Sequence, residues 1–182
     1  MPKQTPSQTV GPFFSRGLLW DDGGKVLFAG RGERITLAGR VLDGAGAPVA
    51  DALLETWQAD AAGKVPAAGD AARPHGYGRV STGPDGGFAI ETVMPGAYPG
   101  PGGETYAPQL HVTIFARGLL KAVRTRVFLA GLDAIKDDPL ARAVGNADRL
   151  KTLVAARDPK DPRMYHWDVR LQGEGETAFL EF

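Results

Sequence analysis

Cysteine is absent from all 182 residues, which removes disulfide frameworks, thiolate nucleophiles and cysteine-based metal clusters together. An excess of one charge is missing too. The 21 Lys and Arg balance 21 Asp and Glu, and a chain without a basic surplus has no electrostatic footprint for nucleic acid or an anionic bilayer. Apolar runs last only a few residues, far short of a membrane span. Met1–Thr9 has no apolar core of the secretory type, so a soluble, cytoplasmic protein is expected. Phosphate-cradling glycine motifs and nucleophile elbows are also lacking. Histidine is scarce: His75, His111 and His166 are the only three. A three-histidine metal centre would need all of them, drawn from a loop and two different strands, whereas satisfied or solvent-facing histidine is the ordinary case. Glycine and proline are abundant, 25 and 14 residues, and imply many turns and few long helices.

One stretch organises the rest. Residues 95–103 hold four Gly and three Pro, an irregular loop that carries Tyr98. Residues 109–116 then alternate as a strand, with Leu110, Val112 and Ile114 on one face and Gln109, His111, Thr113 and Phe115 on the other. Two side chains at i and i+2 on one strand face, with a Tyr on the entering loop, form the pattern of a metal site. The first of the pair is Gln109, however, a poor ligand for iron or zinc. Tyr98 can equally be a core-capping Tyr with its hydroxyl bonded. Arg117-Gly118, directly after the strand, places a cation at a strand end, either to take a carboxylate in a bidentate grip or as a solvated turn.

Around this stretch the spacing predicts strands at 34–42, 52–58, 78–82, 88–93, 122–129, 165–171 and 177–182, with Arg124 and Arg126 sharing a face. Gly83-Pro84-Asp85-Gly86 reads as a hairpin joining its two flanking strands. Helical spacing occurs only at 132–144 and 146–157, broken by Gly145, and residues 60–74 read as a small-residue loop. The expected fold is all-β: one domain over 1–182, a β-sandwich over 34–182 with a short helical insertion, and an irregular arm over 1–33. Phe13, Phe14, Leu18, Leu19 and Trp20 on that arm either dock on a partner or pack on their own domain.

The Tyr98 loop and the 109–118 strand, with Thr5-Pro-Ser-Gln-Thr-Val-Gly-Pro-Phe13, Glu55-Thr-Trp-Gln-Ala-Asp60 and Gln172-Gly-Glu-Gly-Glu-Thr-Ala-Phe179, resemble the intradiol ring-cleaving dioxygenases in order and almost end to end. The resemblance implies a β-sandwich and non-haem Fe(III). In the two-chain members it also implies α and β chains in a large hetero-oligomer, with two Tyr and two His of the β subunit holding the iron. The matching positions here are Val65, Tyr98, Gln109 and His111, and the Arg expected ahead of the strand is Tyr106. Ligands are therefore lost at Val65 and Gln109. The resemblance implies the α, non-iron-binding chain, inactive alone, with Tyr98 and His111 as remnants. It further implies that Thr9, Gly11, Pro12 and Arg117 reach the β chain's pocket, Arg117 to meet the carboxylate of 3,4-dihydroxybenzoate. The implied reaction uses O2 to open that ring between its hydroxylated carbons, giving 3-carboxy-cis,cis-muconate. Two alternatives stay beside it: a free-standing intradiol enzyme for another catechol with an altered iron site, and a non-catalytic β-sandwich binding module.

Overall fold

A computed structural model describes residues 9–11, 13–26, 32–66 and 76–181. Two sheets face each other. The first is centred on β1 (Arg34–Leu42), which pairs antiparallel with β4 (Gly87–Val93) along one edge. Along its other edge β1 takes β10 (Met164–His166) and then β11 (Val169–Arg170), both parallel, and β9 (Ala156–Arg157) completes the sheet on β10. The second sheet runs β3–β2–β7–β8, all antiparallel, built from Tyr77–Ser81, Leu53–Trp57, Gln109–Phe115 and Val123–Phe128.

Alternation dictates what lies between the sheets. Ile35, Leu37, Val41, Phe88 and Ile90 from the first meet Leu54, Leu110, Val112, Ile114 and Val127 from the second in one buried cluster. Fully burying side chains of this size contributes about 1.5–3 kcal/mol each relative to exposure. The buried Gln58 amide ties the layers, donating to the Val93 carbonyl at 2.9 Å and accepting from Thr92 Oγ1 at 2.8 Å. Gly39 permits closer contact still. A Cβ there would sit 1.7 Å from the Trp167 carbonyl oxygen, so the chain between β10 and β11 can lie directly on β1.

The helical insertion forms three short pieces rather than two: α2 (Leu132–Ile135), α3 (Pro139–Val144) and α4 (Ala147–Lys151). Asp138 divides the first predicted stretch by capping α3, its carboxylate accepting from Leu140 and Ala141 N–H with Pro139 at the first helical position. Gly145 ends α3 in the left-handed region at φ 64°. The insertion packs Ile135, Ala141 and Leu153 against Phe128 on the outer face of the second sheet. The other Asp138 oxygen accepts from Ala107 N–H at 2.7 Å, fixing the insertion to the entrance of β7.

Three sequence expectations need correction. Gly83–Gly86 makes a tight turn, with Gly86 N–H donating to Gly83 O, but it joins β3 and β4 across different sheets. It is a corner between layers, and a turn motif alone cannot tell a corner from a hairpin. The 95–103 loop is not wholly irregular, since β5 (Tyr98–Pro99) pairs with β6 (Thr105–Tyr106). Of the region expected as a strand over 177–182, the described residues 177–181 form only one bridge, of Leu180 to Arg124, and the strand at 165–171 is broken where Asp168 Oδ1 accepts from Arg40 N–H. At the other end of the chain a single helical turn, α1 (Phe14–Gly17), appears on the arm. Among the described residues no helix is long and apolar enough to cross a membrane.

Candidate functional site

The outer face of the second sheet carries the polar side chains. Strand register lines them up in rows: Tyr77, Trp57, His111 and Arg126 in one, and Arg79, Glu55, Thr113 and Arg124 in the next. Residues directly opposite across strands share a face at contact distance, so the expected pairing of Arg124 with Arg126 on one face holds. The β5–β6 hairpin folds over one end of this face, stacking Tyr106 on Tyr98 with ring centroids 5.2 Å apart.

Tyr98, Gln109 and His111 come together there. Tyr98 is buried, and its hydroxyl lies 2.9 Å from His111 Nε2. Trp57 presents an edge-on ring contact to His111 at 5.1 Å. Burial, opposed in part by the Arg126 charge, pushes the Tyr98 phenol up to about 12. Burial first, and then the same arginine, pulls His111 down to about 4. Both groups are thus neutral across the ordinary pH range. Gln109 is completely buried; its Oε1 accepts from Arg126 at 3.4 Å and its Nε2 has no partner.

These residues do not fit Fe(III). A ferric ion wants hard anionic oxygen donors, and Tyr98 is the single oxygen donor of that kind among these residues. The two donors that remain are bonded to each other, Gln109 turns an amide into the space, and the nearby charge is a guanidinium. Val65 is exposed on the loop after β2, a loop whose Gly63 lies against the Ala97 carbonyl. Among the described residues no group of three His, Asp or Glu could hold a metal ion. His166 sits on the other sheet, exposed and paired with Asp158 at 3.0 Å, and His75 falls outside the described residues.

Arg117 stands apart. From Gln109 to Arg117 the strand runs roughly 25 Å at the usual rise per residue, so the cation lies at the far end of β7 from Tyr98 and His111. Its Nε donates to Asp51 Oδ2. Both terminal nitrogens of the fork have no protein partner among the described residues, and the side chain is 67% exposed. Leu120, 70% exposed, stands three residues on.

The arm is fastened at its base and open beyond it. Glu55 accepts from Arg79, whose guanidinium lies over the Trp20 and Tyr77 rings at 5.2 and 5.6 Å and donates to the Leu18 carbonyl at 2.6 Å. Phe13, Leu18, Leu19 and Trp20 nevertheless stay exposed, Phe13 at 72%. Thr9 and Gly11 are exposed further out, and Pro12 lies outside the described residues.

Comparison with known proteins matches this framework. A family model described as Dioxygenase covers residues 10–173. The protocatechuate 3,4-dioxygenase alpha chain of Burkholderia cepacia is 42% identical over 98% of both chains. The chain belongs to the intradiol dioxygenase family. The protocatechuate 3,4-dioxygenase beta chain of the same organism is 32% identical over 80% of this chain and 67% of its own. Among solved structures, the dioxygenase domain of a carbohydrate-binding fusion from Streptomyces sp. SirexAA-E superposes with a TM-score of 0.60 at 25% identity, covering 97% of this chain and all of that one. Intradiol dioxygenases work with non-haem iron, so the poor donor set at Tyr98 and His111 marks a departure within the family.

Two residues of the site escape a reading of the sequence. Alternation puts Arg126 on the right face, but only the β7–β8 register sets it opposite His111. Asp51 lies 66 positions from Arg117, and no local pattern connects them.

Proposed function

We propose that this chain is the α subunit of a protocatechuate 3,4-dioxygenase, which uses O2 to open 3,4-dihydroxybenzoate between its hydroxylated carbons to 3-carboxy-cis,cis-muconate. In this reading Fe(III) is held by a β subunit in a hetero-oligomer, and the α chain alone is inactive. It contributes Arg117, with Thr9, Gly11 and Pro12 of the arm, to the partner's substrate pocket.

The observation that carries the reading is the separation of Arg117 from Tyr98 and His111 along β7. A cation at the far strand end cannot read a carboxylate bound at its own chain's remnant centre, but it can read one in a neighbour's pocket. The exposed Leu120 beside it and the apolar arm residues supply surface for that neighbour. Arg117 presents an unfilled fork to solvent, suited to a carboxylate. Gly11 projects no side chain, and nothing lies within 4 Å of where its Cβ would be. The arm can therefore offer a low wall to a flat ring.

The test is Arg117→Ala in the co-expressed two-chain enzyme, with KM measured for 3,4-dihydroxybenzoate and for catechol, and iron measured in the α chain purified alone. The expected result is a rise of at least about tenfold in KM for the acid and little change for catechol, since a charge-assisted hydrogen bond is worth about 1.5–3 kcal/mol. The α chain alone should contain no stoichiometric iron. Equal losses for both substrates would refute the carboxylate role, and an iron-loaded, active single chain would refute the assignment.

A further inference from the structure

Arg126 poses a physical problem that the reading above leaves unsolved. Its Nε is buried and has no partner. Its one hydrogen bond is the long one from a terminal nitrogen to Gln109 Oε1, at 3.4 Å. Among the described residues no carboxylate pairs with it, and its neighbours Tyr98 and His111 are both neutral. A partly desolvated guanidinium without a counter-charge costs stability that an anion would recover. The Tyr106 ring at 5.1 Å supplies a cation–π contact, which offsets only part of that cost.

The same arginine opens onto a pocket of about 460 Å³ between β8, the helical insertion and the C-terminal segment. The volume lies within the usual range for small-molecule sites. Arg126, Tyr106 and Arg149 of α4 line it together with the apolar Leu140, Val144 and Phe179. Like Arg126, Arg149 has no carboxylate partner among the described residues. Glu181, also on the lining, is 91% exposed and reaches Lys121 at 3.5 Å, so solvent screens its charge.

We propose that this pocket is a binding site for a small carboxylate with an apolar body, an aromatic acid being the best fit, held by the Arg126 fork and assisted by Arg149. The pocket sets guanidinium charge among apolar side chains, and that combination selects an organic anion over a neutral ring. The site lies at the opposite end of β7 from Arg117 and does not depend on a partner chain.

The test is calorimetric titration of benzoate into the full chain, with benzyl alcohol as the uncharged counterpart. Benzoate has no hydroxyls to chelate iron, and no partner is present, so the outcome is independent of the role given to Arg117. The expected result is one benzoate site per chain and at least about tenfold weaker binding of the alcohol. Arg126→Gln should weaken benzoate by at least about tenfold, and Arg149→Ala, an exposed change that leaves folding intact, by about threefold. No binding to the parent chain, equal binding of benzyl alcohol, or full affinity retained in Arg149→Ala and Arg126→Gln would each overturn the proposal.

Discussion

The Tyr98 hydroxyl and His111 Nε2 lie 2.9 Å apart, so the two groups best suited to bind a metal have become each other's hydrogen-bond partner. A phenol pushed up to about 12 and an imidazole pulled down to about 4 make this a neutral pair, able to sit under an apolar hairpin without a counter-ion.

That neutrality gives the fold a pH signature. The unfolded His111 takes up a proton near its ordinary value of about 6.5, whereas the folded one resists until about 4. Between those values the unfolded state binds more protons, so stability is complete above pH about 6.5 and falls as pH drops towards 4. The loss from this residue is at most about 3.5 kcal/mol, because each pH unit between the two values corresponds to about 1.4 kcal/mol. Urea denaturation at intervals through this range checks it. His111→Gln should be less stable than the parent at neutral pH, with the gap narrowing steadily on acidification; a constant gap would place the acid sensitivity elsewhere.

Asp51 holds the Arg117 guanidinium by its Nε and so points the remaining fork outward. Asp51→Asn in the assembled two-chain enzyme keeps the shape and removes the charge that orients the arginine. KM for 3,4-dihydroxybenzoate should rise by about two- to fivefold, the worth of an exposed ion pair, with kcat unchanged and catechol unaffected. A matched loss with both substrates would mean that Asp51 serves the loop rather than the cation.

Much of this architecture is legible in the sequence because period-two alternation is strong where one face of a strand is buried. Leu110, Val112 and Ile114 against His111 and Thr113 define the central strand and its two faces. What alternation cannot carry is pairing. Nothing local in Gly83–Gly86 distinguishes a hairpin from a corner between sheets. Nothing in Tyr165–Leu171 announces that it joins β1 in parallel and in two pieces. The site divides in the same way. Residue types at positions 98, 109 and 111 can be weighed one by one, but Arg126 and Asp51 gain their roles only from register and long-range contact.

Gly39 is the most stringent position in the first sheet. Any side chain there meets the Trp167 carbonyl oxygen, 1.7 Å from an ideal Cβ and made of backbone rather than a flexible tip. Gly39→Ala should lower stability by about 3 kcal/mol or more, the range of severe overpacking, seen as a large fall in denaturation midpoint or as loss of soluble protein. A shift below about 1 kcal/mol would mean that the 166–169 crossing can move off β1.

The parallel seating of the last strands on the first sets the order of events during synthesis. Arg34–Leu42 leaves the ribosome long before Met164–Arg170, the partner of one of its edges. Until that partner follows, the nascent chain carries a half-finished sheet, and closure depends on contacts between segments far apart in sequence, the kind that slow folding and leave an edge open to stray pairing.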